Sequence, residues 1–180
     1  FPAGEVAALN AARIAGKTEA WSTNFDLFTV PADGSLAPAN LTAANPAWDS
    51  YPLFSRDGKT LYYLAMSRAG FEADRFQIKA RDIGTGATRD IATDWDRPPG
   101  PLQISADGRT LYATADSDGE HPLFAIDVKS GKATDLTGAG NIAAFSPTAQ
   151  QIADDVARAI PGADITFKPD PVRQAILDSW

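Results

Sequence analysis

The chain has 180 residues, 16 Lys plus Arg against 23 Asp plus Glu, one His, no Cys and a formal net charge of -7. Basic residues scattered singly among acids argue against a nucleic-acid partner, which is held by clustered Lys and Arg, and no run approaches the roughly 18–20 apolar residues that cross a bilayer. Without cysteine there is no disulfide, no thiolate nucleophile and no thiolate metal site.

Phe1-Pro2-Ala3-Gly4-Glu5 lacks the basic start and apolar stretch of a signal peptide, which reads as a cytosolic chain or as a mature or internal segment. The first structural unit then lacks its opening strand. Gly4-Glu5-Val6-Ala7 stands where Gly108-Arg109-Thr110-Leu111 stands in a later unit, Leu27-Phe28-Thr29-Val30 reads as a third strand, Ala32-Asp33-Gly34 as its turn and residues 38–42 as a fourth strand.

From Trp48 and again from Trp95 one pattern is repeated at a period of about 45 residues, the mark of a repeated supersecondary unit. A short apolar run, Leu53-Phe54 or residues 102–104, leads into Ser-x-Asp-Gly-Lys/Arg-Thr-Leu-Tyr. There Asp57-Gly58 and Asp107-Gly108 are expected to supply the positive φ of a tight hairpin. Second strands follow at 61–65 and 111–115. Third strands follow at Phe76-Gln77-Ile78 and Leu123-Phe124-Ala125-Ile126, turns at Gly84-Thr85-Gly86 and Ser130-Gly131, and fourth strands at 88–92 and 133–137. Four antiparallel strands per unit make one propeller blade. A further unit begins at Ile142-Ala143-Ala144-Phe145-Ser146-Pro147 and stops there. Two complete blades, one nearly complete and one begun are too few for a large closed ring, so open strand edges and self-association are expected.

Beyond Thr148 the period changes to 3.6. Ala149, Ile152, Ala153, Val156, Ala157 and Ile160 form an amphipathic stripe, with Thr148 and Gln151 as a capping box and Pro161-Gly162 as the stop. Ala163, Ile165 and Phe167 alternate as a short strand, and residues 173–178 can start another helix. The expected fold class is therefore mainly β: a partial β-propeller of four-stranded antiparallel blades over 1–147, an incomplete ring, with a short C-terminal α/β tail of helix, strand and helix over 148–180.

The stretch KTEAWSTNFDLF at 17–28, followed by NLTAANPAWDSYPLFSRDGKTLYYLAMSRAGFEADRF at 40–76, resembles the N-terminal propeller of prolyl oligopeptidase-family serine peptidases, in their acylaminoacyl-peptidase and dipeptidyl-peptidase branch. The resemblance spans about residues 4–147. It implies a bacterial protein of the periplasm or cytoplasm whose propeller is a lid on an α/β-hydrolase domain, with peptides as the substrate reached through that domain. The Ser, Asp and His of catalysis belong to the hydrolase. No serine here has glycine two residues before and two after it, so the nucleophile elbow is missing; Ala115-Asp116-Ser117-Asp118-Gly119 comes nearest. Propellers of the TolB type share the Asp-Gly-Lys/Arg hairpins, so a binding propeller without associated chemistry is the alternative.

The tail NIAAFSPTAQQIADDVARAIPGADITFKPDPVRQAILDSW, residues 141–180, resembles the C-terminal part of short-chain-type L-threonine dehydrogenases, which makes a fragment of that NAD-dependent enzyme a third reading. No tyrosine is followed four residues later by lysine, so that family's proton-transfer pair has no counterpart. Gly138-Ala139-Gly140-Asn141-Ile142-Ala143 matches G-x-G-x-x-A, but Pro147 stands between it and the helix whose N-terminus would meet a pyrophosphate, and it reads as an inter-blade turn. Two resemblances meeting near 141–151 suggest a composite chain.

No catalytic, cofactor-binding or metal-ligating residue is assigned, and no cofactor is expected. Asp116, Asp118 and Glu120 alternate along one loop, but His121 stands where a calcium loop needs glycine, and a solvated hairpin is the better reading. His121, before Pro122, reads as a loop residue rather than a general base. Glu19, Trp21, Asn24 and Phe25 form the candidate substrate loop, because propeller loops in the resembled family reach toward the substrate channel; the competing reading packs Trp21 and Phe25 between blades. Trp48 and Trp95, each followed by Asp, are expected to begin equivalent strands and to serve inter-blade packing.

Overall fold

A computed structural model describes residues 6–12, 22–31, 33 and 35–138. Among these residues eleven strands run in chain order: β1 (Val6–Ala12), β2 (Phe25–Pro31), β3 (Ala39–Asn40), β4 (Asp49–Phe54), β5 (Thr60–Ala65), β6 (Gln77–Asp82), β7 (Thr88–Ile91), β8 (Gln103–Ile104), β9 (Thr110–Thr114), β10 (Leu123–Asp127) and β11 (Ala133–Asp135). They form three antiparallel meanders, β1-β2-β3, β4-β5-β6-β7 and β8-β9-β10-β11, and no helix occurs among the described residues. The helix expected over 148–160, the strand at 142–147 and the rest of the tail lie outside the described residues.

Register makes the sheets equivalent. Tyr62 lies between Leu53 and Ala80, as Tyr112 lies between Gln103 and Ala125. In the first sheet Val6 pairs with Pro31 as Thr110 pairs with Asp127, which is the correspondence that the glycine-led alignment predicts. The fourth strand of the first sheet is shorter than the 38–42 expected. Pro38 has no N–H to give, and the Thr42 N–H turns to the Asn40 side chain at 2.9 Å, so the last bond to β2 is that of the Leu41 N–H to the Leu27 carbonyl at 2.8 Å.

Burial explains the strand sequences. In β5, Leu61, Tyr63 and Ala65 pack with Leu27 of the first sheet, while Tyr62 and Leu64 join Ile78, Ala80 and Ile91 against Leu102, Ile104, Leu111, Ala113, Phe124 and Ile126 of the third. A strand covered on both faces has no use for polar alternation, hence TLYYLA and TLYAT. Strands β7 and β11 are mostly exposed and carry Arg89, Asp90 and Asp135, polar residues that discourage pairing with other chains.

The hairpins between first and second strands are superimposable in their bonding. Ser55 and Ser105 donate Oγ–H to Asp57 and Asp107 at 2.7 Å, the N–H of Lys59 and Arg109 reaches the same carboxylates, and the N–H of Thr60 and Thr110 closes on the serine Oγ. These bonds to the ionised form hold both carboxyls below the usual aspartate range. The Asp-Gly expectation needs one correction. Only the glycines take positive φ, 70° at Gly58 and 72° at Gly108, and each aspartate serves as an acceptor inside a four-residue loop. A two-residue turn with both φ positive occurs instead at Asp118 (52°) and Gly119 (84°), closed by paired bonds between Ser117 and Glu120.

Candidate functional site

Alternation in a meander puts the β5–β6 loop, the segment before β2 and the connectors between sheets at one end of the blades. Several bonds tie these pieces together. The Gly70 N–H donates to Thr23 Oγ1 at 3.0 Å, the Met66 N–H to the Trp48 carbonyl at 2.8 Å, and Arg75 Nη1 to the Trp95 carbonyl at 2.6 Å. Asp74 closes its own loop by accepting from the N–H groups of Ser67 and Arg68, and Arg68 lies over the Phe71 ring at 4.0 Å.

An aromatic row crosses this end from the first sheet to the second. Phe25 lies 5.1 Å from Trp48, Trp48 meets Phe76 edge-on at 5.7 Å, and Phe76 meets Tyr51 edge-on at 6.3 Å. Tyr51 is the exposed end of the row. The buried Trp48 Nε1 and Asn24 Oδ1 have no hydrogen-bond partner among the described residues. Between the second and third sheets a cavity of about 250 Å³ is lined by Arg75, Phe76, Ile78, Trp95, Arg97 and Pro99.

Of the four candidate substrate-loop residues, the structure brings together Asn24 and Phe25; Glu19 and Trp21 lie outside the described residues. Phe25 is engaged in inter-sheet packing, and the Asn24 N–H is bound to Ser22 Oγ at 3.0 Å. Trp48 and Trp95 both pack on aromatic rings, Trp95 on Phe124 at 4.9 Å, but they are not equivalent in register. Trp48 directly precedes Asp49, which pairs with Ala65, whereas the residue opposite the matching Ala115 is Pro99, four positions after Trp95. The connectors themselves match: Trp95 stands where Asn45 stands, its N–H on the Ala92 carbonyl as that of Asn45 is on the Thr42 carbonyl, and Trp48 comes three positions later in its connector.

The acidic loop does not converge on a point. Asp116 faces His121 Nδ1 at 2.9 Å, Asp118 faces Arg97 at 3.6 Å, and the described residues hold no group of three or more His, Asp or Glu spaced for a metal.

Sequence reading missed a buried polar cluster where the first sheet meets the second. Asp26 and Asp49 are 2% and 1% exposed. Asn40 Nδ2 donates to Asp26 at 2.7 Å, Thr42 Oγ1 lies 3.4 Å from Asp26 and accepts from the Leu27 N–H at 2.9 Å, and Asn45 Nδ2 donates to Asp49 at 3.0 Å. Burial pushes the Asp49 carboxyl up to about 7, outweighing the hydrogen bonds from Asn45 and Thr42 that favour its ionised form. A local signal did exist. Asn40-Leu41-Thr42 recurs as Asp135-Leu136-Thr137, and Thr137 repeats both bonds, accepting from the Leu123 N–H at 3.0 Å and donating its own N–H to Asp135.

No protein-family model matches the chain. In sequence it is 36% identical over 109 residues to dipeptidyl-peptidase 5 of Arthroderma otae and of Trichophyton equinum. Those matches cover 56% of this chain and 15% of each relative, so the chain spans a small part of their length. In structure it is similar to a puromycin hydrolase S511A mutant complexed with PGG (TM-score 0.53, 22% identity, 71% of this chain and 22% of that one). It is likewise similar to TolB from Acinetobacter baumannii (TM-score 0.52, 21% identity, 68% and 29%). The fold is that of a β-propeller, and the resemblance to the propeller of prolyl oligopeptidase-family peptidases holds in sequence and in architecture. The relatives named here lend no support to the threonine dehydrogenase resemblance of residues 141–180.

Proposed function

We propose that this chain is the noncatalytic propeller portion of a prolyl oligopeptidase-family serine peptidase, controlling peptide access to an α/β-hydrolase domain. The observation that carries this reading is the 36% identity to dipeptidyl-peptidase 5, on a chain whose described residues are propeller blades. A ring of blades admits an unfolded peptide and turns away folded proteins, so it selects substrate by size before any chemistry. On this reading residues 1–147 are blades and 148–180 a separate tail, and the open blade edges of the isolated chain favour self-association.

A TolB-like binding propeller is the second reading, favoured by a TM-score of 0.52 to TolB beside 0.53 to puromycin hydrolase. Expression of the whole reading frame that encodes this chain separates the two. The peptidase reading expects a downstream G-x-S-x-G serine, its labelling by an active-site phosphonate, and cleavage of dipeptidyl chromogenic substrates, with the 180-residue chain inert in both assays. A reading frame without a serine that the phosphonate labels, or stoichiometric labelling of the chain alone, overturns it.

A further inference from the structure

Among the described residues three non-glycine residues have positive φ, and two have a local cause. Asp118 belongs to the two-residue turn beside Gly119, and Ala92 packs so closely on Gly131 that a β-carbon there would meet the Ala92 nitrogen at 2.8 Å. Tyr51, at 53°, has no such cause. It sits in a bulge of β4, where residues 51 and 52 together stand opposite Tyr63, between the pairs Ser50–Leu64 and Leu53–Tyr62. A bulge residue in the left-handed region is ordinarily glycine, because a β-carbon crowds the backbone there.

The third sheet supplies an internal control. Its first strand bulges at the same place, with the Gly100 N–H on the Thr114 carbonyl and Gln103 opposite Tyr112, so that Pro101 stands where Tyr51 stands. Proline cannot take positive φ. The bulge is therefore built without the strained conformation, and the strain at Tyr51 serves something other than the fold.

That conformation carries an aromatic ring to the surface. Tyr51 is 45% exposed, on the strand that ends its sheet and lies against the neighbouring β1 and β2, where adjacent blades converge. Converging strands of a propeller line its central channel. The ring is propped from behind by Phe76, itself held by Trp48, so little motion is lost when a ligand stacks on it. Resting on the peptidase reading above, we infer that Tyr51 is a substrate-contacting residue of the propeller channel, taking the proline or aromatic side chain of an extended peptide on its ring.

The test uses the 180-residue chain and a fluorescein-labelled heptapeptide with a central Phe-Pro in a Gly/Ser background, read by anisotropy, with an all-Gly/Ser peptide as control. Tyr51→Phe is expected to bind the Phe-Pro peptide as the parent does, and Tyr51→Gly and Tyr51→Ala about three- to tenfold more weakly, with the control peptide bound equally weakly by all four proteins. Thermal melting tests the strain. The Gly variant is expected to melt about 2–5 °C above the Ala variant, the reverse of their order in an ordinary strand. Equal affinity in all variants, no binding by the parent chain, or an Ala variant at least as stable as the Gly variant overturns the inference. None of these bears on whether the reading frame encodes a serine hydrolase, so the two proposals fail separately.

Discussion

The middle sheet meets its two neighbours through different chemistry. Toward the third sheet it presents Tyr62, Leu64, Ile78 and Ile91 to Leu102, Leu111, Phe124 and Ile126, a continuous apolar layer. Toward the first it presents a smaller apolar patch, Leu61, Tyr63 and Ala65 against Leu27, bordered by the buried Asp26, Thr42 and Asp49 with Asn40 and Asn45. Apolar burial is non-directional and scales with area, so the interface with the third sheet tolerates small shifts and supplies most of the cohesion. The polar interface is directional. Each of its hydrogen bonds has to be made in one relative placement of the sheets, because a buried donor or acceptor left unmatched is costly.

The largest effect is expected at the apolar interface. Leu111 is fully buried, and Leu111→Ala should lower stability by about 2–5 kcal/mol in urea denaturation, through lost transfer energy and the cavity left behind. A loss below about 1 kcal/mol would mean that the layer is not packed as described.

The polar interface should respond to pH instead. An unfolded aspartate titrates near 3.8 and the folded Asp49 near 7, so between these values the unfolded chain has released a proton that the folded chain keeps. The contribution of this group is therefore fully present below about pH 4 and is lost as pH rises through 7. Asp49→Asn removes the charge at constant shape. It should flatten this part of the pH dependence and leave the protein roughly 1–3 kcal/mol more stable at pH 8, with little change at pH 4. Destabilisation at pH 8 would show a carboxylate held ionised by its neighbours. At Leu111, by contrast, the cost of substitution should be the same at both pH values.

The smallest effect tests whether the two sheets are otherwise alike. Gly58→Ala and Gly108→Ala place a β-carbon in open space but at φ of 70° and 72°, and should cost about 1–2 kcal/mol each. Thermal melts of the two variants should agree closely. A clear gap between them would break the equivalence of the turns, and with it the use of Pro101 as a control for Tyr51.

Much of the blade architecture was legible because its signals are local. Asp57-Gly58 and Asp107-Gly108 carry their own hydrogen-bonding partners within five residues, and apolar runs such as 61–65 declare burial on both faces. The candidate site was legible only in part. Phe25 is recognisable as an aromatic beside polar residues, but nothing in its neighbourhood announces that Trp48, 23 residues later, packs on it. Asp26 and Asp49 look in sequence like any surface aspartates. Their burial depends on two sheets meeting, and on Asn40 at the end of β3 and Thr42 and Asn45 of the connector after it arriving to satisfy them.

By itself, then, the order of residues determined the strands, the turns and the repeat, since each rests on backbone preference, short-range bonding or side-chain period, and it carries the resemblance to peptidase propellers. Tertiary structure alone decided that Trp48 and Trp95 stand at different positions, that one inter-sheet contact is polar and titratable, and that Tyr51 is strained while Pro101 is not. These depend on which groups the fold sets opposite each other, Asp49 on Ala65, Pro99 on Ala115 and Asn45 on Met66, and neither propensity nor period records the far side of a contact.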